Sequence, residues 1–233
     1  MVVKPLASGS TGNAYIITDG GSSLLLDAGI PLERIQEGCG YTASSLAGCL
    51  VTHEHGDHIK AAKGLARLGV DIYASRGTLE AAGLSGHRFH GVEALRPFTA
   101  GAFTVTPFDV EHDTAEPLGF VIQGGGTADR LMYVTDTCYV KYRVEGLTHV
   151  MIEANFDMDE LERNVMGGRV DAARAARTVR SHMSIEACMR TLEGLDRSRL
   201  RRVYLLHLSG DNSRAEDFKG RVMALTGAEV YVC

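Results

Sequence analysis

The stretch LVTHEHGDHIK, residues 50–60, constrains this chain more than any other part of it. It places His53, His55, Asp57 and His58 within six positions, directly after the apolar run CLV and before a helical pattern. Histidines and aspartates packed this closely repel or desolvate one another unless something binds them. The stretch reads as a strand running into a loop and then a helix, with the polar residues displayed on the loop, where functional groups usually sit. His53 and His55 are two apart and point the same way on extended backbone, which suits two ligands on one metal. Gly56 lets the chain turn, so Asp57 and His58 project from a different point. The stretch is not the helical H-E-x-x-H motif, because Asp57 stands where the second histidine would be.

One ion rarely takes four ligands from six residues, so further ligands are expected downstream. Three candidates each follow an apolar run: His112 in FTVTPFDVEHD, Asp136 in LMYVTDT and His207 in VYLLHLSGDN. A carboxylate can bridge two ions while imidazoles complete each set. Two ions about 3.5–4 Å apart can clamp both oxygens of an in-line displacement.

Short apolar runs punctuated by glycine-rich turns surround these positions. NAYIITD and SSLLLDAG flank Gly20-Gly21 and read as a hairpin. LAGCLVT, VDIYAS, AFTVTPFDV, LGFVIQG, RLMYVTD, HVMIEANF and RRVYLLHLSG read as strands. Helices are expected over 58–69, RGTLEAAGL, 157–180 with a break at Gly167-Gly168, SIEACMRTLEGL with Ser184 as cap, and SRAEDFKGRVMALTG ending at Gly227. Strands mixed with helices, without a linker or repeat, predict a layered α/β fold in one domain over 1–233. A chain of 233 residues can bury a full core without staples.

Five scattered cysteines, with no C-x-x-C, argue for free thiols in a reducing compartment. No apolar stretch approaches the length of a membrane span, and the N-terminal residues lack the pattern of a signal peptide, so the cytoplasm is the expected location and no membrane partner is expected. The net charge of −5 speaks against a nucleic-acid partner, yet residues 160–202 carry ten arginines against six carboxylates. That segment is either a solvated helix face or a strip facing phosphates. His87, His90 and His149 read as surface or structural residues.

THEHGDH has the H-x-H-x-D-H form of the metallo-β-lactamase superfamily. LLLDAG, EHD, VTDT and LLHLS fall in the order of that superfamily's other motifs, so the resemblance covers nearly the whole chain. It implies a four-layer αββα sandwich. Carried over position by position, His53, His55 and His112 would hold one metal, and Asp57, His58 and His207 a second, with Asp136 bridging. Asp27 would steady the metal histidines. SGSTGNAYII, EHDTAEPLGFVI, IEANFD and SHMSIEA resemble the YycJ (WalJ)-type branch, small nucleases associated with 5′-to-3′ exonuclease activity on DNA. In that branch His182 would be an extra active-site histidine. Cys138 stands where a glycine is expected after TDT, and Ser181 where a glycine is usual before the histidine.

The resemblance therefore implies a hydrolase with two divalent ions (zinc, manganese or iron, since no thiolate is in the set) that uses a bridging hydroxide on a nucleic-acid substrate, DNA first. Asp57 would orient the hydroxide and His182 would assist the leaving alcohol. Ser8, Ser10 and Asn13 either line the site, with Asn13 the best candidate, or simply make a glycine-rich turn; Ser8, Ser10, Asn155 and Arg180 are the candidates for substrate contact. The alternatives are a lactonase, thioesterase or cyclic phosphodiesterase, a transfer-RNA-processing ribonuclease, or a catalytically silent metal-binding protein.

Overall fold

The computed structural model describes residues 1–233, which divide into two compact units. The first holds residues 1–109 and 114–129, and the second holds 110–113 and 130–233.

The first unit is built on a six-stranded sheet in sequence order. Strands β1 (Val2–Ala7), β2 (Ala14–Asp19) and β3 (Ser22–Leu26) form an antiparallel meander. The β2–β3 turn needs positive φ at both central positions, and Gly20 (φ 57°) and Gly21 (φ 90°) supply it. After helix α1 (Leu32–Gly38) and a short 3₁₀ turn (Ala43–Ser45), strand β4 (Gly48–Leu50) joins β3 in parallel. Helices α2 (Gly56–Ile59) and α3 (Ala62–Arg67) lead to β5 (Ile72–Ser75), and α4 (Arg76–Ala81) leads to β6 (Phe89–Val92), both strands again parallel. Leu25, Ile35, Val51, Leu65 and Ile72 lie in one buried cluster beneath the helices. Burying each such side chain contributes roughly 1.5–3 kcal/mol. The unit also contains an antiparallel ribbon of β7 (Phe98–Ala100), β8 (Phe103–Asp109) and β9 (Leu118–Gln123).

The second unit is built on four parallel strands, β10 (Arg130–Val134), β11 (His149–Glu153), β12 (Arg202–Leu206) and β13 (Glu229–Val232), paired in that order. Its helices are α5 (Met158–Met166), α6 (Ala172–Ser181), α7 (Ile185–Glu193) and α8 (Ala215–Thr226). Asp157, Asp171 and Ser184 cap α5, α6 and α7 by accepting from backbone N–H groups of the first turn. Gly227, at φ 67°, ends α8 in the left-handed conformation that glycine adopts without cost. Phe156, Leu161, Val170 and Ala175 pin α5 and α6 together.

Most elements fall where the sequence pattern put them, with instructive differences. The helix expected over 58–69 is two pieces. Residues 27–29 run alongside it, Ala28 N donating to His58 O (2.7 Å) and Ala61 N to Ala28 O (2.8 Å), so the helical ladder is diverted at the break. Gly56 opens α2 and does not serve only as a turn. Strands β1, β6, β7 and β13 and helix α1 were not legible. β1 is largely exposed, with no alternation to reveal it, and β7 has only three residues. All five cysteines are free thiols. No helix is long and apolar enough to cross a membrane.

Candidate metal centre

In the first unit the site begins where β3 and β4 end. Parallel strands end in a shared crevice at their C-terminal edge, the usual place for ligands in α/β sheets. Asp27 directly follows β3 and has a left-handed backbone (φ 54°), a conformation that costs an aspartate of the order of 1 kcal/mol and is retained when the surroundings fix it. Its buried carboxylate accepts from Thr52 N (2.8 Å) and from His58 Nδ1 (2.7 Å). The Thr52 hydroxyl lies 3.1 Å from both Asp27 oxygens and 3.0 Å from His53 Nδ1.

These contacts fix the tautomers. A carboxylate only accepts, so His58 Nδ1 carries a proton. The Thr52 hydroxyl donates to Asp27 and accepts from His53 Nδ1. Both rings therefore keep a proton on Nδ1 and present a bare Nε2, the state a ligating histidine needs. His53 Nε2 faces His55 Nδ1 at 3.2 Å, so two ring nitrogens converge on one point. His58 Nε2 is 3.6 Å from Asp57 Oδ2 and 3.0 Å from Asn13 Nδ2. Asn13 is itself oriented by Gly9 N and the Tyr15 hydroxyl, both donating to Oδ1. The Ser8 hydroxyl lies 2.7 Å from the same Tyr15 oxygen and can donate to it, while Ser10 is exposed on the glycine-rich turn.

Asp27→Ala is expected to release Thr52 and His58 together. Hydrogen bonds to a charged group contribute about 1.5–3 kcal/mol each, and losing the partner of a ligating histidine costs about 10- to 100-fold in metal affinity. Metal titration monitored by calorimetry checks this, and unchanged affinity would show that Asp27 only braces the fold.

The second unit gathers a second set. Asp136 follows β10 with φ 50°, and His207 follows β12 with φ 55°. With Asp27, three of the five non-glycine residues at positive φ are candidate site residues. The sequence missed Glu153, the last residue of β11, which is fully buried. Its Oε1 lies 2.7 Å from His182 Nδ1 and 3.0 Å from His207 Nδ1, and its Oε2 accepts from Thr137 N and Met183 N (3.2 Å each). His207 Nδ1 is also 3.0 Å from Asp136 Oδ1. Donor atoms of Asp136, Glu153, His182 and His207 all lie within 4.8 Å of one another. The one signal in the sequence was positional. HVMIE ends an apolar run on a carboxylate, as LMYVTD ends on Asp136 and VYLLH on His207.

His112 stands in the same unit, and its Nδ1 donates to the carbonyl of Ser181 (3.1 Å). In a neutral ring that leaves Nε2 without a proton, 3.4 Å from Asp113 Oδ1 and 3.9 Å from Asp136 Oδ2. His182 has its ring 5.1 Å from His207 and 5.9 Å from His112. Asn155 is buried, and its amide donates to the carbonyl of His207 (2.7 Å), propping that left-handed residue. Arg180 lines an open cleft of about 540 Å³ with Glu111, His112, Asp113, Cys138, Tyr139, Arg177 and Ser181.

The electrostatics show that this set favours positive charge. Burial would push Glu153 up, yet the His182 and His207 imidazoles hold its carboxyl below the usual range. Burial opposes a charged His207, but Asp136 and Glu153 hold its pKa well above the ordinary value. Burial likewise opposes a charged His182, and Glu153 raises it. Two buried carboxylates thus demand positive charge nearby. The donor set, imidazole nitrogens and carboxylate oxygens with no thiolate, fits zinc, manganese or iron(II).

The comparisons agree with this geometry. A β-lactamase superfamily domain pattern matches residues 18–208. The chain belongs to the β-lactamase superfamily. Exodeoxyribonuclease YycJ of Bacillus anthracis is 30% identical over 229 residues, covering 91% of this chain and 83% of that protein. Exodeoxyribonuclease WalJ of Streptococcus pneumoniae is 30% identical over 230 residues, covering 91% and 82%. Among solved structures, the metallo-β-lactamase-fold protein YhfI of Bacillus subtilis matches with a TM-score of 0.76 at 20% identity, covering 99% of this chain and 95% of that one. Igni18, a metallo hydrolase of Ignicoccus hospitalis, matches with a TM-score of 0.72 at 16% identity, covering 99% and 94%. The fold is the mixed α/β metallo-β-lactamase fold, and the chain is a hydrolase of that class.

Proposed function

We propose that this chain is a divalent-metal-dependent phosphodiesterase that degrades DNA from an end, acting in the cytoplasm as a single functional domain. His53, His55, Asp57, His58, His112, Asp136 and His207 would hold two such ions. Such ions would supply Lewis acidity, lowering the pKa of a bound water to about 7 and neutralising charge on an attacked phosphate.

The chain's own residues do the rest. Asp27, through Thr52 and His58, keeps the Nε2 atoms of His53 and His58 available. The Ser181 carbonyl does the same for His112. Asp57 orients the attacking water. His182, held at Nδ1 by Glu153, presents its other nitrogen to the departing alcohol and delivers a proton there.

The observation that carries the choice of phosphodiester is the cleft beside His112, where Arg177 and Arg180 offer planar guanidinium groups suited to phosphate oxygens. The exodeoxyribonuclease relatives support it independently, and removal of nucleotides in the 5′-to-3′ direction is the expected polarity. A panel of end-labelled single- and double-stranded DNA and RNA, run with zinc, manganese and iron(II), tests the reading. Stepwise shortening of DNA is expected, abolished by chelation and by Asp136→Ala, which should also lower metal content. Hydrolysis of a lactone or thioester with every oligonucleotide left intact would overturn it.

A further inference from the structure

The cleft beside His112 contains a residue for which the hydrolytic chemistry has no use. Tyr139 lies in the loop after β10 and is 47% exposed, so its ring is open to a ligand. It lines the cleft with Arg177 and Arg180 from α6. The Arg177 guanidinium is 3.3 Å from Asp113, but both side chains are about half exposed or more, and so exposed a pair holds its partners weakly. The guanidinium is therefore available to a stronger anion. Both arginines project from the same helix three residues apart, so they share one face. A volume of about 540 Å³ is in the range of small-ligand sites. A flat ring, two guanidinium groups and the His112 imidazole lining one cleft make a set that suits one nucleotide.

We propose that this cleft is a subsite for the terminal nucleotide of a single strand, its base stacked on Tyr139 and its phosphate held by Arg177 and Arg180. This rests on the nuclease reading and specifies its substrate. A base paired within a duplex presents its face to its neighbours in the stack, so the subsite selects unpaired or frayed ends. Stacking is tolerant of sequence because every base has a π-face, which suits an enzyme that removes nucleotides in succession.

The test measures binding and cleavage separately on the full-length metal-loaded protein. Fluorescence anisotropy reads binding of a labelled single strand, and gel assays read cleavage. Tyr139→Ala is expected to weaken binding about 5- to 150-fold, the size of a lost base–aromatic stack, and to raise KM more than it lowers kcat. Tyr139→Phe keeps the ring and is expected to restore most of the affinity. A strand ending in an abasic nucleotide is expected to bind wild type as weakly as it binds Tyr139→Ala, because each change removes the same contact. Arg180→Ala and Arg177→Ala are each expected to reduce the salt slope of binding by about one. Equal affinities of wild type and Tyr139→Ala, or a Tyr139→Ala loss that persists undiminished on the abasic strand, would overturn the subsite while leaving the nuclease reading intact. Tyr139-dependent binding without cleavage under any divalent metal would uphold the subsite and remove the nuclease reading. A wild type that neither binds nor cleaves any oligonucleotide would remove both.

Discussion

Replacing His182 with alanine is expected to slow cleavage of DNA by about 100- to 10,000-fold, the usual size of a general-acid contribution. The metal content should stay at the wild-type level. The expectation follows from how the ring is held. Nδ1 is engaged by Glu153 at 2.7 Å, and the ring is about one-fifth exposed, so its other nitrogen has a path to a bound substrate. The carboxylate beside it favours the protonated ring. A proton donor matters most when the leaving group is a poor one, as a sugar alkoxide is. The loss should therefore shrink with nitrophenyl phosphodiesters, whose leaving group departs without a proton. Metal analysis and kinetics on both substrates separate the possibilities. If His182→Ala loses metal, the ring is a ligand. If it cleaves DNA at the wild-type rate, the ring is structural.

Gly29→Ala is expected to destabilise the protein by about 4 kcal/mol or more, in the range reserved for severe backbone or core defects. A side-chain carbon at Gly29 would lie 1.6 Å from the carbonyl oxygen of Asp57 and 2.8 Å from the backbone nitrogen of Asn13. Neither neighbour is a side-chain tip that could swing aside. The three backbones are tied together, Asn13 N donating to Asp57 O (2.8 Å) and Gly29 N to Asn13 O (2.9 Å). A methyl group there must push residues 27–29 off the first turn of α2, and Asp27 then leaves His58. Urea denaturation checks the stability, and metal content checks the site. Gly56→Ala is the natural comparison. A side-chain carbon at Gly56 meets nothing within 4 Å, and alanine in a helix should be neutral or stabilising by about 0.4–1 kcal/mol. Equal stabilities for the two variants would show that the close approach at Gly29 is not maintained in solution.

How much of this was legible beforehand depends on the range of the interaction. His53, His55, Asp57 and His58 are consecutive enough for spacing alone to single them out, and His112, Asp136 and His207 share the signature of a polar residue closing an apolar run. Capping and turn residues were also readable, because Ser184, Gly20, Gly21 and Gly227 act through their immediate neighbours. The long helical pattern at 58–69 misled because the hydrogen bonds of Ala28 interrupt it from another part of the chain. β1 was missed because an exposed strand carries no alternating burial to read.

Sequence by itself determined which residue types could take a metal, roughly where the strands carrying them end, and that thiolates are not among them. These follow from local periodicity and ligand chemistry. Only the tertiary structure decided which nitrogen of each ring is bare, since that depends on partners far off in sequence, Asp27 for His58 and Ser181 for His112. It also decided the place of Glu153. A glutamate closing one strand looks like any other surface carboxylate until the parallel pairing of β11 with β12, at Glu153 and Leu206, sets it beside the residue that follows. Register between strands is fixed by packing across the sheet, and no spacing within one segment encodes it.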